Sequence, residues 1–205
     1  MLKYLEAHGR RFAGRVYLTA MAPVYLLSKM KLVPAERFQR YFTVRLGSLV
    51  NGMTLQEAAA MFEWVANEYL LPTRRPETDQ RLRDHQAQGH AVVIASAMFV
   101  PCLAWIGNHF GVKNLVGTEL EVRDGRYTGR IVPPLISGPA KAERARGLVA
   151  TLGGDVDWAA SFAYGDSFSD RDMLALVGHP VAVYPDSKLN ALARQNKWEV
   201  LGTPK

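Results

Sequence analysis

The chain has 205 residues, 48% hydrophobic, 10% aromatic and 21% charged. Those proportions exclude a disordered or low-complexity polymer and fit one folded domain with room for a modest insertion. A single cysteine, Cys102, excludes an internal disulfide and a cysteine-based zinc site.

Read from the front, residues 1–45 hold nine basic side chains (Lys3, Arg10, Arg11, Arg15, Lys29, Lys31, Arg37, Arg40, Arg45) against Glu6 and Glu36. That local +7 leaves −1 for the remainder, from a total of +6. Inside it, the apolar run from Val16 to Leu27 is interrupted by Pro23 and is too short to span a bilayer. The residues after it, Ser28-Lys29-Met30-Lys31, lack the small-residue cleavage site of a signal peptide. The expectation is a cytoplasmic protein with a solvated amphipathic helix face here, membrane contact being the lesser reading. Pro34 opens a predicted helix over Ala35–Leu46, with Phe38, Tyr41, Phe42 and Leu46 at helical spacing. Thr54 and Glu57 form a capping box for a helix over Leu55–Leu70, ended by Leu71-Pro72. A further helix, about Glu77–Gln88, stops at Gly89.

The period then changes. Ala91–Ala95 reads as a strand buried on both faces, Phe99–Phe110 as a helix closed by Gly111, and Asn114–Gly117 as a short strand. Asp124-Gly125 between Glu119–Arg123 and Arg126–Val132 is a hairpin signal. Helices over Ala140–Leu152, Ser169–Val177 and Ser187–Gln195 alternate with strands at Ser161–Tyr164, Val181–Tyr184 and Trp198–Leu201. Such alternation predicts an α/β fold with a parallel sheet.

Three segments carry chemistry. In Gly165-Asp166-Ser167-Phe168-Ser169-Asp170, just beyond a strand, two carboxylates four residues apart suit a hard cation such as Mg²⁺, and helix capping by Ser169 or Asp170 is the alternative. Ser96 follows the Ala91–Ala95 strand, where a hydroxyl and the N–H groups of a following helix make an anion site or merely a cap. Lys141, in Gly138-Pro139-Ala140-Lys141, stands against a helix dipole and so implies another partner, a phosphate being a natural one, although an exposed lysine is the commoner outcome. The five histidines show no ligand spacing, Trp64, Tyr69, Trp105 and Trp158 read as core, and Cys102 reads as a buried apolar residue.

In order and approximate spacing, Ser96, Lys141 and the Gly165–Asp170 segment resemble the second, third and fourth motifs of the haloacid dehalogenase-like superfamily. The hairpin at Val122–Gly129 and Tyr184-Pro185-Asp186 resemble its phosphoserine-phosphatase-like branch. The resemblance implies a Rossmann-like core (81–205) under an N-terminal helical cap (1–80). It implies Mg²⁺ bound by Asp166, directly or through water by Asp170, and phosphoryl oxygens held by Ser96, the N–H of Ala97 and Ser169. Lys141 would neutralise charge, making Lys141, Asp166 and Asp170 the catalytic set, with a small phosphorylated substrate as partner.

The family's reaction starts from an aspartate in an Asp-x-Asp-x-Thr pattern on the first strand, forming an aspartyl-phosphate. Here no Asp-x-Asp continues to x-Thr: Asp155-Val156-Asp157 is in the wrong place and followed by Trp158, and Asp170-Arg171-Asp172 is followed by Met173-Leu174. The expectation is therefore a phosphomonoesterase whose reading frame starts after the nucleophile, leaving the first core strand absent. The alternative is a catalytically silent scaffold that binds phosphate or anionic lipid. No dinucleotide fingerprint or nucleic-acid reading motif is present.

Overall fold

The computed structural model describes residues 1–30, 32–153 and 155–205, and the side chains at 35 and 36 are not described. Lys31 and the side chain of Glu36, both counted in the basic front, therefore lie outside the described residues. The chain divides into two compact units, Met1–Arg75 with Ser96–Leu135, and Pro76–Ala95 with Ile136–Lys205. In the first unit residues 96–135 pack with the N-terminal helices.

The first unit begins with α1 (Leu2–Ala7), α2 (Arg11–Lys29) and α3 (Ala35–Leu46), the last starting after Pro34 as expected. α2 runs through Pro23. α4 (Leu55–Val65) opens on the expected capping box, in which Thr54 Oγ1 accepts the Glu57 N–H and the Glu57 carboxylate accepts the Thr54 N–H. The helix widens into a π turn at Ala66–Leu70 before the 3-10 turn Leu71–Thr73. Tyr69, expected in the core, is 38% exposed on that turn.

After α5 (Pro76–Ala87), which belongs to the second unit, strand β1 runs over Val93–Phe99 rather than Ala91–Ala95. It leads into α6 (Val100–Phe110), closed by Gly111 in the left-handed region. β2 (Asn114–Arg123) is one continuous strand and pairs antiparallel with β3 (Arg126–Val132). Their turn has positive φ at both Asp124 and Gly125, as a two-residue hairpin matching strand twist requires. The sheet order is β1-β2-β3. The hairpin docks on the loop before α4: the Gly52 N–H donates to the Tyr127 carbonyl, and the Tyr127 N–H to the Met53 carbonyl. Phe62, Phe99, Cys102, Leu120 and Tyr127 then share one apolar cluster with Leu5 and Tyr17. These bonds and this burial explain why the hairpin belongs to the helical unit. Cys102 is buried as expected, and burial pushes its thiol up to about 11.

In the second unit, α7 (Pro139–Thr151) precedes β4 (Phe162–Gly165), a 3-10 turn at Phe168–Asp170 and the single-turn α8 (Arg171–Leu174). The predicted helix over Ser169–Val177 is thus shorter and begins as a 3-10 turn. β5 (His179–Val183), α9 (Ser187–Gln195) and β6 (Glu199–Leu201) complete it. β4, β5 and β6 pair in parallel, as the alternation predicts, with Gly165 beside Ala182 and Val183 beside Leu201. Leu174, Ala182, Leu189 and Ala193 form the apolar centre.

Candidate active site

The carboxyl end of β4 builds the site. Gly165 is required by close approach, since a Cβ there would lie 2.7 Å from the Cβ of Asp170. The chain then turns through Asp166 and Ser167. Ser167 Oγ accepts the Ser169 N–H at 3.3 Å, while Asp170 Oδ2 reaches back to the N–H groups of Asp166 and Ser167 at 3.3 and 3.4 Å. The capping expected of this segment is real, but Ser167 is the cap and Asp170 its reciprocal partner. Ser169 Oγ donates to Ser167 Oγ at 3.1 Å.

The other oxygen of Asp170 receives Lys141 Nζ at 2.5 Å. Both side chains are buried, at 11% and 7% exposure, so each ion depends on the other to offset lost hydration. Lys141 occupies the first turn of α7, where the helix dipole disfavours a cation. A carboxylate of the chain, Asp170, is the partner found at this placement.

Asp166 differs from Asp170 in that its side chain is 46% exposed, and its Oδ2 meets the ammonium of Lys205 at 2.6 Å. A pair this exposed is worth about 0–1 kcal/mol and gives way readily to a better cation. Among the described residues there is no cluster of three or more histidine, cysteine or carboxylate groups. Asp166 and Asp170 are the carboxylates at this turn, the kind of oxygen donor that a hard cation takes together with water. The Asp166 side chain is half exposed, whereas that of Asp170 is buried with both oxygens engaged, which favours contact through water or a bracing role for Asp170.

Asp186, which the sequence offers only as part of the Tyr184-Pro185-Asp186 resemblance and with no site role, completes this end of the unit. Its Oδ1 accepts the Leu189 N–H and caps α9, its Oδ2 accepts the Phe168 N–H, both at 2.8 Å, and its own N–H donates to the Asp166 carbonyl at 3.0 Å. Burial pushes its carboxyl up, but the N–H donors outweigh that and hold it below the usual range. A second omission is a polar chain in which His85 Nδ1 lies 2.9 Å from His90 Nδ1 and His85 Nε2 lies 2.8 Å from Tyr164 Oη. Burial first, then the neighbouring His90 and Arg81, lowers the His85 pKa. No local spacing announces this contact, because β4 supplies the tyrosine.

Ser96 and Ala97 belong to the first unit, whereas Lys141, Asp166, Ser169 and Asp170 belong to the second. Ser96 was expected at the end of its strand and lies within it, because β1 continues to Phe99 and helix α6 starts only at Val100. Its Oγ accepts the Met98 N–H at 3.2 Å, and the Ala97 carbonyl accepts Thr118 Oγ1–H at 2.9 Å. An apolar cavity of about 430 Å³ in the same unit is lined by Ala97, Met98, Phe99, Phe62 and Cys102 among others.

A family model described as haloacid dehalogenase-like hydrolase matches residues 2–175. A phosphoserine phosphatase of Mycobacterium tuberculosis is 30% identical over 197 residues, covering 94% of this chain and 63% of that relative. A histidinol-phosphatase of Neisseria meningitidis is 28% identical, covering 96% of this chain and 82% of the other. The solved structure of a protein with unknown function from Bordetella pertussis superposes with a TM-score of 0.79 at 26% identity, over 98% of this chain and 89% of that one. The chain spans less than two thirds of the length of the mycobacterial relatives.

Proposed function

The chain belongs to the haloacid dehalogenase-like hydrolases, and from that premise we propose that it carries the magnesium-binding and charge-neutralising part of a phosphomonoesterase acting on a small phosphorylated substrate. The observation that carries this reading is the Asp166 turn: a half-exposed carboxylate on a turn braced by a second carboxylate that holds a buried lysine. A bound Mg²⁺ would draw charge from the phosphoryl oxygens. Asp166 is its ligand, with Asp170 acting through water.

Lys141 supplies a fixed positive charge, kept in place by Asp170 rather than by solvent. Phosphoryl transfer is mostly positioning and charge neutralisation, which is what such a pair offers. The resemblance assigns Ser96, the Ala97 N–H and Ser169 to the phosphoryl oxygens. The 205 residues contain no Asp-x-Asp-x-Thr, so no residue among them is assigned here as the one that attacks phosphorus. The same missing motif, joined to the basic front, supports a second reading as a silent phosphate- or lipid-binding scaffold.

Mn²⁺, which takes the same oxygen donors, reports on the metal site. Added to the chain, it should lose its free-ion paramagnetic resonance signal saturably, and Asp166→Asn should keep the signal at the free-ion level. Equal binding by both proteins, or by neither, overturns the assignment of Asp166.

A further inference from the structure

Helix α2 buries one face and exposes another that is also apolar. Gly14, Tyr17 and Met21 turn inward. On the opposite side, Phe12 (80% exposed), Val16 (52%), Leu26 (60%) and Leu27 (41%) follow helical spacing with the exposed Pro23 between them. A surface helix needs only one apolar face, and the second has no partner among the described residues. Ten of the seventeen exposed large apolar side chains among the described residues lie between Phe12 and Val44. The exposed face of the amphipathic helix expected here thus carries an apolar stripe with cations beside it.

Arg11, Arg15 and Lys29 are exposed on one rim of that stripe, and Lys3, Arg37, Arg40 and Arg45 are exposed elsewhere in the same front. We propose that α2 and its flanks dock this protein on an anionic lipid surface, the apolar stripe entering the acyl boundary and the basic rim meeting headgroup phosphates. Charge complementarity decides between occupants. A second copy would set a +7 segment against another +7 segment, whereas an anionic bilayer attracts both the charge and the stripe. The helix, about 28 Å long at 1.5 Å per residue, would lie in the interface. No helix among the described residues is long and apolar enough to cross a membrane, so docking is peripheral. The inference does not depend on the catalytic reading.

Co-sedimentation of the full chain with vesicles tests it. Phosphatidylcholine vesicles containing phosphatidylglycerol should bind the protein at low salt and release it at high salt, and pure phosphatidylcholine should bind far less. Arg11→Glu and Arg15→Glu should each weaken binding at least about fivefold. Val16→Glu with Leu26→Glu should abolish it, circular dichroism showing an intact fold. Absence of binding to the anionic vesicles, binding indifferent to these changes, or a dimer in light scattering that Val16→Glu dissolves without any vesicle binding would each overturn the proposal.

Discussion

Lys141 and Asp170 show what one pair of residues can be asked to do. Removing one member of a buried ion pair strands the other charge, at a cost of about 3–5 kcal/mol, while replacing both by apolar groups is often neutral. Lys141→Met should therefore lower stability by that order in urea unfolding, and Lys141→Met with Asp170→Leu should recover most of the loss. If the two single losses simply added, the pair would not be coupled. The need for a partner was legible in the sequence, from a lysine set against a helix dipole. The partner's identity was not, because the two lie 29 positions apart and only the turn after β4 brings them together.

At the scale of elements, Asp186 ties the start of α9 to the turn that carries Asp166. Its folded pKa is depressed, so its stabilisation is fully present above the unfolded value of about 3.9 and is lost as pH falls through the folded value. Asp186→Ala should cost about 1–2 kcal/mol at pH 7, with the gap to the parent protein closing in acid. A gap independent of pH would show that the carboxylate is not the cause. Elements specified by local chemistry, such as the Thr54–Glu57 box, the Asp124-Gly125 hairpin and α9, were legible. The end of β1 was not, since the strand continues through Ser96–Phe99 beside β2, a neighbour that no local pattern encodes. α8 was read too long because periodicity continued beyond the bonds that hold it.

For the whole molecule, composition and alternation revealed an α/β chain with a helical front, but not that residues 96–135 pack in one compact unit with those helices. That division depends on the hairpin's bonds to Gly52 and Met53 and on burial shared with Phe62, both products of tertiary packing. The basic front was visible as a count, whereas the apolar stripe beside it needed burial to separate inward from outward side chains. The central claim is that these residues serve phosphomonoester hydrolysis. Its most direct test is p-nitrophenyl phosphate turnover by a chain in which a strand bearing Asp-x-Asp-x-Thr precedes residue 1. The account predicts magnesium-dependent hydrolysis that falls at least about a hundredfold in Asp166→Ala, in line with the loss of a major charge-stabilising group. A folded, extended protein that stays inert with magnesium across a panel of phosphate esters, or that hydrolyses them equally well without Asp166, would contradict it.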